Sequence, residues 1–184
     1  MPYDPPPELA SMSLAEIAEA VEQRKLPPVE QWSPEHSGDS EMRIAADGRW
    51  YHAGGEVKRQ AMVRAFASLL MRDEEGQHWL VTPHQKLSIE VEDAAFIGTD
   101  IQRRGDALAL RLNTDDLVII GPDHPLTAEG DRDQPAIYVH ARRGCRARLN
   151  RSTYAQLAEL ALGEGGEDWN VTSGGETYSL LPPR

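Results

Sequence analysis

The order strand, strand, helix, strand occurs twice in this chain, and it constrains the fold more than any other feature. In its first occurrence MRIAADGRWYHAGG reads as two short β-prone runs joined by Asp47-Gly48, a dipeptide suited to a tight hairpin turn in which both residues take positive φ. Residues 60–72 then carry Val63, Phe66, Leu69 and Leu70 at helical spacing, and DEEGQ leads into the strand HWLVTP. In the second, IYVHA at 137–141 is a strand, RRG turns the chain, and CRARL alternates apolar and basic residues. Asn150 stands where it caps a helix over residues 151–162, and GEGGE breaks the chain before the strand DWNVT. WYHA at 50–53 then lies over YVHA at 138–141, the first helical stripe over Tyr154, Leu157, Leu160 and Ala161, and HWLVT over DWNVT. Duplication of a supersecondary unit accounts for this; the identities are few, so coincidence is the competing reading.

The expected fold is α+β, with two small related domains, each mostly antiparallel sheet with one helix, dividing near residue 95. Residues 1–26 form an N-terminal tail and an extra helix, 27–95 the first unit and 96–184 the second. The extra helix, over 13–25, has a readable start: Ser13 caps it, Glu16 completes a capping box, and Leu14, Ile17 and Val21 share a face. AFIGTDIQ, DALALRLN and DLVIIG supply further strands. The proline-bearing residues 1–12 and the final 182–184 read as mobile tails.

Composition narrows the function classes. Hydrophobic residues make up 40% and charged residues 27%, enough apolar surface for a folded core. The formal net charge of −11 argues against duplex nucleic acid, whose affinity comes from clustered Lys and Arg. The longest apolar run, AFASLLM, is too short for membrane insertion, and the start lacks a basic segment followed by an apolar one. One cysteine, Cys145, excludes an intramolecular disulfide and fits a reducing, cytoplasmic location.

Catalytic motifs are missing: no phosphate loop ending in Lys-Ser or Lys-Thr, no GxGxxG, no GxSxG and no HExxH. His78 and His84 are poorly spaced for a shared metal, and Asp131-Arg-Asp133 lacks the glycine and terminal glutamate of a calcium loop. No metal and no cofactor is assigned. The stronger pattern is electrostatic. Arg142, Arg143, Arg146, Arg148 and Arg151 run into a helix start, and Lys58 with Arg59 precede the earlier helix, so an anion fits either place. The competing reading is the solvated face of a half-buried strand, since Arg146 and Arg148 alternate with Cys145, Ala147 and Leu149. Glu90 and Glu92 share a strand face and read as solvent-facing, whereas Lys86 and Asp93 stand at the two ends of a strand leading from one unit to the next.

GDSEMRIAADGRWYHAGGEVKR, LVTPHQK, VEDAAF, LRLNTDD, GPDHPL and YVHARRG, in that order, resemble the bacterial family catalogued as domain of unknown function 1285, over about residues 27–180. Ala95 departs from the family's proline and Gln85 from its commoner acidic residue. The resemblance implies internal duplication, a C-terminal half similar to a pleckstrin-homology-like barrel, and a ligand cleft between the halves. It also implies a nucleotide-like ligand and a role in signal transduction or stress response. Carried over residue by residue, the matching positions are Arg43, Trp50, Arg59, Thr82, Lys86, Asp93, Asn113, His124, His140 and Arg143. Trp50 also reads as core and Thr82 as a strand cap.

The resulting expectation is a non-enzymatic binding protein with a small anionic ligand between the units. Lys86, Arg43, Arg59 and Arg143 meet negative charge, Asp93 orients a cation or hydroxyl, and Trp50 stacks. Two rivals stand beside it: an enzyme using His140 or His124 as general base near Asp93, and a module whose sheet edges and arginine strand dock a protein partner.

Overall fold

The computed structural model describes residues 3–164 and 168–184. Its first sheet contains β1 (His36–Ile44), β2 (Trp50–His52), β3 (Gly55–Glu56), β4 (Leu70–Arg72), β5 (His78–Val81) and β6 (Gln85–Val91), in the order β3-β2-β1-β6-β5-β4. The second contains β7 (Phe96–Arg104), β8 (Ala107–Leu112), β9 (Leu117–Ile119), β10 (Leu126–Gly130), β11 (Pro135–Arg142) and β12 (Cys145–Leu149), in the order β10-β11-β12-β7-β8-β9. In each sheet the unit's first and last strands lie side by side and parallel, β1 with β6 and β7 with β12, and the remaining pairs are antiparallel. Two sequential units therefore share one topology, and the α+β duplication holds.

Its register differs from the one drawn through the helices. By strand order β1 answers β7, β2 answers β8 and β5 answers β11, so YVHA corresponds to HWLV rather than to WYHA. The helices are not equivalent: α2 (Gln60–Ala67) lies between β3 and β4, whereas α3 (Arg151–Gly163) follows β12. The DWNVT region forms β13 (Asn170–Ser173), which pairs with β14 (Glu176–Ser179) in a separate hairpin. Part of the GEGGE break, residues 165–167, lies outside the described residues. Apolar spacing reports period, not strand order, and two unrelated helices with similar stripes set the false register.

Two local readings also change. The helix read over 60–72 stops at Ala67, where Ser68 Oγ donates to the Ala65 carbonyl at 2.5 Å, and Leu70 and Arg72 pair with Leu80 and His78 as a strand. In the turn after β1 only Gly48 takes positive φ, at 90°, and its N–H donates to the Ala45 carbonyl at 2.9 Å, so the loop is longer than a two-residue turn. A Cβ on Gly48 would lie 2.5 Å from Ile97 Cγ1, because this hairpin packs on the second unit.

The helix α1 (Leu14–Gln23) begins as read, with the Ser13 hydroxyl accepting from the Glu16 N–H at 3.2 Å. It packs not on the unit that follows it but on β8 and β9, where Ile17 joins Leu9, Met12 and Ala109 in a small cluster. Residues 8–12 are thus no mobile tail: Leu9 is fully buried, and Arg104 donates to the carbonyls of Ala10 (2.6 Å) and Met12 (3.0 Å). At the other end Pro182 is buried and accepts from Arg132 at 2.6 Å. The main apolar cluster, including Ile44, Trp50, Leu70, Phe96, Leu110, Val139 and Leu157, runs through both units. One shared core replaces two thin ones, and each large side chain withdrawn from water contributes about 1.5–3 kcal/mol.

Candidate functional site

The ten residues carried over from the family pattern do not converge. Trp50 is 1% exposed and stacks on Phe66 with ring centroids 6.4 Å apart, so it is core and beyond the reach of a ligand. Arg143 is a clasp: its Nε meets Glu30 Oε1 at 2.6 Å, and Nη1 and Nη2 donate to the carbonyls of Ser68 and Pro27. With its side chain 5% exposed, it binds the chain to itself rather than an outside anion. Thr82 accepts from the N–H groups of His84 and Gln85 at 3.3 and 3.1 Å and closes the β5–β6 turn. Asn113 Oδ1 accepts from the Ile97 N–H at 3.0 Å and fixes the start of β7 to the end of β8.

Four more are committed on the surface or left open to it. Arg43 pairs with Glu92 and stacks 4.5 Å above Tyr51. Lys86 lies 4.3 Å over the Trp79 ring, whose Nε1 donates to Asp73 at 3.0 Å. Arg59 precedes α2 as an exposed side chain. Asp93 accepts from the Tyr138 hydroxyl at 2.6 Å and from Arg148 at 2.8 Å. Burial first, then this carboxylate, pushes the Tyr138 phenol up to about 12. The strand carrying Lys86, read as a bridge between units, is the inner strand β6 of the first sheet.

Both histidines are turned to the backbone. His140 Nε2 accepts from the Gly144 N–H at 3.3 Å, which places its proton on Nδ1, facing the Asp123 carbonyl at 3.3 Å. His124 Nδ1 lies 3.0 Å from the His140 carbonyl, and the rings stack 6.2 Å apart. No His–Asp93 pair forms among the described residues. His78 is buried at the contact between units; that burial, and then Arg72 and Arg146, holds its pKa down to about 4. Among the described residues no three His, Cys, Asp or Glu side chains are grouped to hold a metal, and no helix is long and apolar enough to cross a membrane.

The arginine run divides among several tasks. Arg146 meets Glu129 at 2.5 Å and Arg148 meets Asp93, while Asn150 fills the first turn of α3 by accepting from the Thr153 N–H at 2.9 Å. Arg142 points elsewhere, into a cleft of about 560 Å³ where α1, α2 and the second sheet meet. The floor chemistry is built from four separate segments. Asp116, in the turn before β9, is 5% exposed and contacts Arg24 at 2.7 Å, Arg142 at 3.1 Å and Arg64 at 3.5 Å, with the Thr114 hydroxyl donating at 2.8 Å. Burial on its own would raise the Asp116 carboxyl, but Arg142 and then Arg24 and Thr114 outweigh it, and its pKa lies below the usual carboxylate range.

One carboxylate therefore faces three guanidinium groups. Arg142 also donates to the Ala67 carbonyl at 3.1 Å and lies 4.8 Å over the Phe96 ring, yet its buried Nε has no hydrogen-bond partner among the described residues. Arg64 donates to the Thr114 carbonyl and to the Tyr3 hydroxyl at 3.2 Å. Val21, Leu26, Leu117 and Val118 supply an apolar wall, and His124 lines the same cleft, alone among the ten expected residues. A second hollow, of about 590 Å³ beside the start of α3, mixes Asp47 and Asp133 with Arg148 and Arg151 and has no comparable convergence of charge. Sequence reading missed Arg24, Arg64 and Asp116 because each belongs to a different element; Arg142 alone carried a signal, within the basic run.

Comparison with known proteins gives a consistent identity. Residues 27–94 match a family model described as the N-terminal domain of a domain of unknown function, DUF1285, and residues 95–180 match the C-terminal domain of the same family. A crystal structure of a DUF1285 family protein from Silicibacter pomeroyi DSS-3 is 34% identical, with 94% of this chain and 97% of that chain covered and a TM-score of 0.78. A DUF1285 family protein from Shewanella baltica OS155 is 23% identical over 64% of this chain and 90% of its own, with a TM-score of 0.53, and shares the fold. No curated protein matches the chain.

Proposed function

Since the chain belongs to the DUF1285 family, whose descriptions assign no activity, its function is to be read from its own geometry, and we propose that it is a non-enzymatic binding protein for a small organic anion. The observation that carries this is the ratio at Asp116: one buried carboxylate among the guanidinium groups of Arg24, Arg64 and Arg142. A cleft of about 560 Å³ is within the size range of small-molecule sites, and its apolar wall suits an organic body attached to the charge. Guanidinium groups match phosphate and carboxylate oxygens in a charge-assisted fork. Asp4 and Asp115 also line the cleft, Asp115 paired with Arg111 at 3.4 Å, and the anion meets the charge on Arg24, Arg64 and Arg142 that Asp116 alone does not balance.

Within that class a nucleotide brings both phosphate and a planar base, and it is the first group of compounds to test. Signal transduction, which the family resemblance implies, is a role that such binding would serve, and a single, buried cysteine fits a cytoplasmic location. Thermal-shift screening of inorganic phosphate, phosphate monoesters, nucleotides and carboxylates is the test. A ligand at a hundred times its dissociation constant adds about 2.7 kcal/mol of stability. Stabilisation by anions that is lost in Arg24→Gln supports the proposal; a flat response across the panel, repeated by calorimetry, removes it.

A further inference from the structure

Tyr3 reaches the cleft from the start of the chain. Its ring lies 4.8 Å from the Arg64 guanidinium, its hydroxyl accepts from Arg64 Nη1 at 3.2 Å, and it donates to Asp115 Oδ2 at 3.0 Å. The segment behind it is anchored: Arg111 donates to the Pro7 carbonyl, Arg104 holds the carbonyls of Ala10 and Met12, and Leu9 is fully buried. Residues 3–6, in contrast, make no backbone hydrogen bond among the described residues. Among the described residues only the Tyr3 side chain hydrogen-bonds this short arm to the body, and Pro5 and Pro6 stiffen it between Tyr3 and the anchored Pro7.

The phenol is a partial match for what surrounds it. Its flat ring satisfies the face of Arg64, but burial, and then the Asp115 bond, push its pKa up to about 12, so it brings no negative charge to Arg24, Arg64 or Arg142. A ring bearing phosphate or carboxylate offers the same stacking, gives up the donation to Asp115, which keeps Arg111 at 3.4 Å, and adds negative charge for the arginines.

We infer that Tyr3 is a built-in occupant of the Arg64 face, at one side of the open cleft, and that the ligand displacing it is a planar aromatic ring carrying a phosphate or carboxylate. This rests on the anion-binding reading of the cleft and specifies both the ligand class and its intramolecular competitor. When a competitor fills a site most of the time, apparent affinity falls by the fraction of open sites, so removing it strengthens binding by about tenfold for an open population of about 10%.

The test is calorimetric titration of the full chain and of its Tyr3→Ala and Tyr3→Phe variants with two probes, phenyl phosphate and inorganic phosphate. The wild-type chain is expected to bind phenyl phosphate more tightly than inorganic phosphate. Tyr3→Ala is expected to strengthen phenyl phosphate binding by about tenfold, and Tyr3→Phe, which keeps the ring and loses the two hydroxyl bonds, to fall between. Equal or weaker binding in Tyr3→Ala, with phosphate still bound, makes Tyr3 part of the wall and overturns its role as occupant while leaving the anion site standing. Equal affinity for the two probes overturns the aromatic class. Failure of all three proteins to bind either probe removes the anion site, and this inference with it.

Discussion

Arg142 Nη1 lies 3.1 Å from Asp116 Oδ2, a contact between the end of β11 and the turn before β9 in which the two side chains are 13% and 5% exposed. Such a pair is costly to break from one side, because the remaining charge stays out of water. Asp116→Asn keeps the shape and removes the charge, leaving Arg24, Arg64 and Arg142 to repel one another. Urea unfolding at pH 7 is expected to show a loss of about 3–5 kcal/mol.

The same residue sets an acid limit. Its folded pKa lies below the unfolded value of about 3.9. The stability it contributes is therefore fully present above that unfolded value and is lost as pH falls through the folded one. Wild-type stability is expected to drop over this range, and Asp116→Asn to show a shallower drop, in denaturation curves recorded between pH 5 and pH 2.

His78 gives a separate window. Its folded pKa is depressed to about 4 against about 6.5 unfolded, so below pH 6.5 the unfolded chain takes up a proton that the folded chain refuses. Stability from this residue is complete above about pH 6.5 and drains away down to about pH 4, to a total of roughly 3 kcal/mol. His78→Gln removes the titration. Its unfolding midpoint should change little between pH 7 and pH 5, where the wild-type midpoint falls.

Gly144 tests the seam between the units. It takes a φ of 79°, and a Cβ there would lie 2.6 Å from the Arg72 carbonyl oxygen, next to the bond from the Arg72 N–H to the Arg143 carbonyl at 2.9 Å. Gly144→Ala is expected to cost about 1–3 kcal/mol through backbone strain, read as a lowered thermal midpoint. An unchanged midpoint would mean that the seam yields without resistance.

How much of this the chain discloses depends on how local the signal is. Ser13 and Asn150 announce the starts of α1 and α3 correctly, because a cap involves a few consecutive residues. Leu69 and Leu70 mislead, because they extend a helical stripe although tertiary pairing with β5 turns Leu70 into a strand. Arg142 and Arg143 are neighbours in sequence with opposite outcomes. Arg143 takes a φ of 51° at the strand end and closes on Pro27, Glu30 and Ser68, whereas Arg142 meets Asp116 in the cleft. Nothing in YVHARRG separates them. The duplication was legible as a repeat of elements; its register and the cleft needed the strand order and four distant segments.

The contrast between two arginines tests the central claim most directly. Calorimetric titration of phenyl phosphate should show saturable binding to the wild-type chain, weakened by about tenfold or more in Arg24→Gln through the loss of a charge-assisted contact. Arg143→Ala should lose stability, about 1–3 kcal/mol for the carbonyls it leaves unpaired, and retain the wild-type affinity wherever it is folded. Binding that survives Arg24→Gln unchanged, or that Arg143→Ala abolishes in a folded protein, would contradict the placement of an anion site at Arg24, Arg64 and Arg142.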